Sequence, residues 1–385
     1  MDSPFVYNKP VTGKYNIGRR QDAQILANFI DQGECIAIYE PPKSGKRSLV
    51  QQTFFNMRVS SKKFTPVQLS LLNIRTIADL MMRLGGEVIK NLSQTPESYA
   101  NAVASFLEGT HFVFDQDVWE AKEQILSLNW DIDDNDIRSI LMLPYRMASV
   151  TGQKAVIVLE EFQNVMQTED GDKVCNIFHD ILDTIGLEER RSCSYILMGS
   201  QVNAMKDIFE VRKLFYRKVE HLPLSPIDIK DIIDHTVRGF LSSGKVLDRD
   251  LMLGVCKVFK GNIWYIQHFA SICDSLSKGY MMEPVLVEAL DMLISIHEPR
   301  YQAIMNDLTT YQMCLLRAIL DGYTKFSSSE VIQRYNLNSS ANVRRLKDAL
   351  CKKEIITFDD KDEPHILDPL FEHWVRKYFF EMKVE

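Results

Sequence analysis

Long apolar runs are missing from this 385-residue chain: none approaches the roughly 18 residues that a membrane span needs. No basic-then-apolar segment opens it either. The expectation is a soluble, cytoplasmic protein with no membrane partner. Cysteine is scarce and shows no pairing pattern. The seven cysteines, at positions 35, 175, 193, 256, 273, 314 and 351, are scattered and odd in number, and none forms a C-x-x-C pair. That excludes a disulfide framework or a zinc site and implies reduced, mostly buried thiols. The eight histidines show no metal-ligand spacing. An excess of positive charge is also absent. The 45 Lys+Arg against 52 Asp+Glu leave a net charge of −7, which argues against a broad non-specific hold on nucleic acid but leaves a local basic patch open. Internal repeats and low-complexity segments are lacking too.

What is present is ordinary globular material. Apolar residues make up 45% and charged residues 25%, and the length suits two or three domains with a real core. Residues 1 to 17 read as extended, broken by Pro4, Pro10 and Gly13. A helix follows from about Gln21 to Ile30, then a short apolar strand, Cys35 to Tyr39, and a helix from Lys46 to about Met57. Phe64 to Leu71 reads as a strand and Ile74 to Leu92 as a helix. The stretch 93–134 lacks a clean period and reads as an insertion, with a short helix near Val118 to Leu128. Asn135 to Val150 is helical, with Asn135 as N-cap and Pro144 as a kink. Lys154 to Leu159 and Ser194 to Met198 read as buried strands, with a helix over Val174 to Ile185 between them, and Val219 to Leu224 reads as a last short strand. Strands alternating with helices indicate a parallel sheet covered on both faces.

Beyond Pro226 the strands stop, and four helices are expected over Ile227–Leu241, Asp248–Phe259, Ile263–Ser277 and Glu283–Ile296, with Pro299 as a joint. From about Thr309 come three more helical patterns. They are followed by a two-stranded wing, Ile355–Phe358 and His365–Leu367, around the charged turn Asp359 to Glu363, and by a last helix, Pro369 to Met382. That is a winged helix. The expected domains are therefore 1–225, a nucleotide-binding core with the insertion at about 93–134; 226–300, a helical lid; and 301–385, the winged helix.

Chemistry concentrates in three places. Cys35 to Val50, CIAIYEPPKSGKRSLV, is a strand, a Gly-bearing loop, a lysine and a helix, the architecture of a phosphate-binding loop. The pattern G-x-x-x-x-G-K-[ST] is met only in part. Gly45 and Lys46 are in place, Glu40 stands where the first Gly belongs, Arg47 stands where the Mg²⁺-binding hydroxyl belongs, and Ser48 comes one residue late. Pro41 and Pro42 remove two N–H donors from the outer limb, whereas the donors at Ser44 through Ser48 remain. The second place is VIVLEEFQN, Val156 to Asn164, where a buried strand ends in the acid pair Glu160-Glu161. In such a pair the first acid holds Mg²⁺ and the second orients water. Glu in place of Asp at 160 moves the carboxylate by about 1.5 Å. The alternative is that both acids merely cap the next helix. Third, SYILMGSQ brings Ser200 or Gln201 to a strand tip, as a phosphate sensor or as a plain turn.

The order of a Gly18-Arg19 opening, phosphate loop, strand into Glu-Glu-Phe-Gln, strand into Gly199-Ser200, helical lid and winged helix resembles the archaeal-type AAA+/STAND ATPases, distant relatives of origin-recognition initiators. The resemblance runs from Gly18 to about Tyr378. It implies an α/β fold with a P-loop AAA+-like parallel sheet core, a helical lid and a C-terminal winged-helix domain. It also implies ATP or ADP with Mg²⁺. Gly18 and Arg19 would lie near the adenine, and Lys43, Ser44, Gly45, Lys46, Arg47 and Ser48 would surround the phosphates. Ser48 and Glu160 would hold the metal, Glu161 would orient water, Ser200 would sense the phosphate, and Gly261-Asn262-Ile263 would match the lid signature. Arg217, in the basic stretch VRKLFYRKVE, is the preferred phosphate-facing arginine, with solvated basic surface as the alternative. The departures, Glu40, Arg47, Glu160 and Ile263, fall mainly at the nucleotide site, so anion binding is expected to be more robust than hydrolysis.

The winged helix would present Arg344, Arg345 and Lys347 from Ser340 to Cys351. From Thr309 to Glu385, however, 12 Lys+Arg meet 12 Asp+Glu, and the wing tip is acidic. Packing or protein contact is the better reading there, and Trp374, Tyr378, Phe379 and Phe380 read as core. The expected function is an ATP-binding switch with weak hydrolysis and a protein partner. Two alternatives stand beside it, a non-hydrolysing nucleotide-sensing or interaction protein and a nucleic-acid-binding regulator.

Overall fold

A computed structural model describes residues 3–383 of the chain, so the outermost ends of the first and last expected domains lie outside the described residues. Two compact units are present. The core unit comprises Arg20–Glu40 and Leu49–Leu224. The lid unit comprises the chain up to Arg19, Pro41–Ser48 and the chain from Ser225 onward.

In the core unit five strands, β1 (Cys35–Tyr39), β2 (Phe64–Ser70), β3 (Lys154–Glu160), β4 (Cys193–Gly199) and β5 (Val219–His221), pair in parallel in the order β2-β3-β4-β1-β5. β1 and β4 are buried along their whole length, as parallel strands covered on both faces must be. Side chains alternate across the sheet. Ile36, Ile38, Val156, Val158, Ile196 and Met198 pack on Leu26 and Ile30 of the helix Arg20–Gln32 and on Leu49 and Phe54 of the helix Lys46–Val59. On the other face Tyr195 meets Phe178 at 4.7 Å and Tyr145 at 5.8 Å, ring to ring. Each fully buried aliphatic side chain contributes about 1.5–3 kcal/mol, so the register is strongly specified. That register places Tyr39 opposite Gly199 and Glu160 opposite Met198, which aligns the carboxyl ends of β1, β3 and β4.

The insertion is better ordered than its sequence suggests. A helix, Pro96–Phe106, starts with a capping box at Thr95. A hairpin then pairs Phe112–Phe114 with Leu126–Leu128 around a short helix, Gln116–Lys122. The expected helix over Val118–Leu128 is thus half strand: Ile125 and Leu126 bury their side chains, and pairing with Phe112–Phe114 satisfies the backbone. The helix Asp134–Thr151 is capped by Asp133, not Asn135. Asp133 and Asp136 form a reciprocal capping box, and Asn135 instead donates to the Gly109 carbonyl.

In the lid unit the helices Ile229–Ser242, Arg249–Val258 and Ile263–Leu276 are followed by a 24-residue helix, Glu283–Asn306. Pro299 does not end it. Leu286, Ala289 and Leu293 before the proline and Tyr301 and Met305 after it are buried in one core, which holds both halves. The strands also do not stop at Pro226, because Val246–Leu247 pairs with Tyr280–Met281. The winged helix follows: Thr310–Leu320, Ser329–Arg334, Ser340–Lys352, the hairpin Ile356–Phe358 with Pro364–Ile366, and Pro369–Trp374. Phe5 and Ile17 join the same apolar core as Phe240, Leu293, Leu316 and Trp374. Of the aromatic tail, Trp374 is core, but Tyr378 and Phe379 are more than two-fifths exposed. The last helix widens into a looser turn over Val375–Phe379 that turns them outward.

Gly33, after the first helix, has φ +78°, and a Cβ there would lie 2.2 Å from the Arg190 carbonyl oxygen. Gly33→Ala is expected to destabilise the protein by about 2–4 kcal/mol, combining a left-handed backbone with a backbone clash. Denaturant unfolding followed by circular dichroism measures this.

Candidate functional site

The site residues expected from sequence divide between the two units. Gly18, Arg19, Lys43, Ser44, Gly45, Lys46, Arg47 and Ser48 lie in the lid unit; Glu160, Glu161, Ser200 and Arg217 lie in the core unit.

In the lid unit the phosphate loop leaves the double proline with Lys43 at φ +68° and Gly45 at φ +94°, and the helix begins at Lys46. A Cβ on Gly45 would meet nothing within 4 Å, so the requirement for glycine here is conformational. The loop's N–H groups and the helix N-terminus are the parts from which an anion-binding element can be built. Lys46 is buried, and its Nζ donates to the Pro41 carbonyl at 3.0 Å and lies 3.5 Å from Ser44 Oγ. Pro41 therefore keeps an acceptor in the loop although it has lost a donor. The Arg19 guanidinium donates to the Ser44 carbonyl at 3.1 Å and to the Ser225 carbonyl at 2.9 Å. Gly18, at φ +63°, sits so close to Ile227 that a Cβ would come within 2.8 Å of its Cγ2. Ser48 Oγ accepts the Val11 N–H at 3.2 Å. Arg47 is exposed.

The loop faces a cleft whose lining includes Tyr7, Arg19, Lys43, Ser48, Trp264 and Gln267. The last two were not legible as site residues. Asn262 caps its helix by accepting the N–H groups of Trp264 and Tyr265 at 3.1 and 3.2 Å. Trp264, Gln267 and His268 then share one face by the three- and four-residue spacing, which was the available signal. Tyr7 stacks on His268 at 4.0 Å and meets Trp264 edge-on at 5.7 Å. Gln267 Nε2, His268 Nδ1 and His297 Nε2 are buried and have no hydrogen-bond partner among the described residues. Such polar atoms are rare in finished cores. Lys43 Nζ lies over the rings of Trp264 (4.1 Å) and Tyr265 (4.6 Å) and donates to the Tyr265 hydroxyl at 3.3 Å. Burial lowers the Lys43 pKa to about 8. Burial, with Lys43 nearby, lowers His268 and His297 to about 4.

In the core unit Glu160 ends β3, and Glu161 follows in the left-handed region at φ +57°. Glu161 Oε2 accepts from Ser200 Oγ at 2.5 Å and from Gln163 Nε2 at 2.8 Å. The structure thus brings Ser200 and Glu161 together at the carboxyl ends of β3 and β4. Glu161 makes no side-chain cap to the turn that follows, Phe162–Gln167. The Glu40 carboxylate accepts the Leu224 N–H at 3.1 Å, which gives that residue a structural use in this unit. Arg217 is not part of the Glu161 cluster: it is exposed, and its guanidinium lies over its neighbour Tyr216 at 5.0 Å. Arg212 and Lys218 beside it pair with Asp172 and Asp183. In the winged helix Lys347 is held by Asp362 of the wing turn at 2.7 and 2.9 Å and lies over Phe358 at 4.0 Å, whereas Arg344 and Arg345 are exposed.

Residues 299–377 match a family model described as "Probable winged helix domain". No curated protein matches the chain by sequence. Among solved structures the chain is similar to the Walker-type ATPase of Pyrococcus abyssi, at 14% identity and a TM-score of 0.67, over 97% of this chain and 99% of that one. It is also similar to the Orc2 protein of Aeropyrum pernix in its ADPNP–ADP complexes, at 12% identity and a TM-score of 0.58, over 95% and 93% of the two chains. At such identities the likeness is one of fold, and it spans both units. The chain has the fold of an AAA+ ATPase, a parallel-sheet P-loop core followed by lid helices, and it carries a C-terminal winged-helix domain. Among the described residues no helix is long and apolar enough to cross a membrane.

His268 and His297, the two histidines beside Lys43, contribute a pH dependence. Folding holds both rings neutral, so between their ordinary value of 6.5 and about 4 the unfolded chain binds the protons first. Their contribution is fully present above pH 6.5 and is lost as the pH falls toward 4, by about 1–2 kcal/mol per ring. Thermal unfolding across pH 7 to 4.5 should show this slope, and His268→Gln with His297→Gln should flatten it.

Proposed function

We propose that the chain is a nucleotide-binding AAA+-type switch protein that holds ATP or ADP with the phosphates at the N-terminus of the helix Lys46–Val59. The observation that carries this reading is the lid-unit cleft. It combines the phosphate loop, the Gly18-Arg19 segment, and a lid face of Trp264 and Gln267 that includes a buried amide nitrogen with no partner. The residues fit a nucleotide. Backbone N–H groups from 44 to 48 face the phosphates, Lys46 transfers from the Pro41 carbonyl to a phosphate oxygen, and Arg19 fixes the loop through Ser44. Tyr7, Trp264 and Ile263 give the base apolar and aromatic surface.

Turnover is less well supported than binding. Bound Mg²⁺ would neutralise phosphate charge, and Ser48 is the loop side chain that would hold it. Ser48 enters with one lone pair committed to the Val11 N–H. Glu161 already accepts from Ser200 and Gln163 on one of its two oxygens, which leaves its other oxygen for a water. We therefore read the protein as a slow or non-turning switch that binds firmly, of the STAND-like kind, with a protein partner. Nucleic acid is the weaker partner reading: Arg344 and Arg345 are exposed on the helix Ser340–Lys352, but Lys347 is paired with Asp362 and the wing tip is acidic.

ATP or ADP at a hundredfold excess over Kd should stabilise the protein by about 2.7 kcal/mol. Differential scanning fluorimetry should register this as a rise of a few degrees, and Lys46→Ala should abolish it. A shift that survives in Lys46→Ala sinks the phosphate-loop assignment. Glu161→Gln should keep the shift while bringing any phosphate release down to the buffer rate.

A further inference from the structure

Lys43 is a loop residue whose ammonium turns away from the loop. Its Nζ lies over Trp264 and Tyr265 and donates to the Tyr265 hydroxyl. That hydroxyl lies 2.8 and 2.9 Å from the two carboxylate oxygens of Asp368 and, with no other acceptor of comparable strength, donates to them. The chain of donors has one direction: ammonium to phenol, phenol to carboxylate. Asp368 is in turn the N-cap of the last helix of the winged-helix domain, accepting the N–H groups of Leu370 and Phe371 at 3.0 and 3.2 Å. Arg300 approaches the same carboxylate at 4.0 Å, and the Tyr301 hydroxyl approaches Tyr265 at 3.3 Å.

Two aromatic faces and a carboxylate one hydroxyl away make a cation box, and its occupant is the chain's own lysine. The lysine reaches it from a left-handed backbone at φ +68°, a conformation that costs a non-glycine residue about 1 kcal/mol or more and persists only where its surroundings hold it. The neighbouring His268 and His297 are kept neutral, and Arg300, the other cation beside the box, comes no nearer to the Asp368 carboxylate than 4.0 Å. A polyphosphate at the loop is a stronger partner for an ammonium than two rings and a phenol.

We propose that Lys43 is a two-position residue, caged by Trp264, Tyr265 and Asp368 in the ligand-free protein and drawn onto the phosphates when nucleotide binds, so that Asp368 reports loop occupancy to the last helix of the winged helix. This rests on the nucleotide-binding reading above and adds the regulation of that site. The cage opposes nucleotide by holding Lys43. Loss of the lysine leaves Asp368 to its helix cap and Arg300, which is the local change that the winged helix feels.

The test is a double-mutant cycle on the full chain with Lys43→Met and Asp368→Asn, a pair in which Asn retains the capping oxygen. In the ligand-free protein the melting-temperature changes should be non-additive; additive changes overturn the cage. In ATP and ADP titrations Asp368→Asn should tighten binding about threefold to tenfold. Tyr265→Phe, which cuts the relay but keeps the ring, should act in the same direction. Neither change should alter affinity in the Lys43→Met background. A purely structural role for Asp368 would shift affinity equally in both backgrounds, and that result overturns the proposal, as does unchanged affinity in Asp368→Asn. Should the wild-type chain bind neither ATP nor ADP, the nucleotide reading and the release step both fall. The ligand-free cycle would then show separately whether the cage exists.

Discussion

The constraint on which the site depends is the path of eight residues, Pro41 to Ser48, between β1 and the helix that follows. Two prolines stiffen the first limb, Lys43 and Gly45 take left-handed conformations, and Lys46 turns its ammonium back onto the Pro41 carbonyl. Nothing in the apolar core forces this path. It is held from the lid unit, by Arg19 on the Ser44 carbonyl, by Val11 on Ser48, and by the aromatic cage around Lys43. The loop is compactly packed with the lid and the winged helix, although covalently it joins β1 to the helix Lys46–Val59.

That arrangement gives the substitutions in the motif a physical meaning. Glu40, in place of the first glycine, spends its carboxylate on the Leu224 N–H and ties β1 to the segment after β5. The prolines lose donors only where the loop uses a carbonyl. The hydroxyl that follows the lysine in the regular motif is gone, and Ser48, one residue on, is partly committed. The acid pair is likewise restrained, with Glu161 held by Ser200 and Gln163. These features fit the proposed reading, in which anion binding is kept and the restraint falls on steps that need a metal or an activated water.

The fold was largely legible in the sequence. Runs that are apolar after their first residue, such as Lys154–Leu159 and Ser194–Met198, are unmistakable because parallel strands bury both faces, and the structure extends each by one or two residues. Errors fell where local signals conflict with packing. Asn135 is a good cap by composition, but Asp133 and Asp136 form a reciprocal pair that satisfies two N–H groups at once. Pro299 looks like a boundary, yet buried side chains on both sides keep one helix continuous. The helix expected near Val118 is half hairpin because its partner strand lies outside any local window.

Of the site, the sequence by itself determined the residues with chemistry in their spacing: Gly45 and Lys46 ahead of a helix, and Glu160-Glu161 and Ser200 at the ends of buried strands. Spacing carries such information because strand and helix periods fix which residues reach a strand end or a helix N-terminus. Tertiary structure alone decided the rest. Tyr7, Trp264, Gln267 and Asp368 lie tens to hundreds of positions from the loop they serve, and no periodicity links them to it. Whether Lys43 pointed into the loop or out to an aromatic cage depended on what the lid placed beside it. A lysine's direction is set by the nearest acceptors and rings in space, and only the folded chain supplies those.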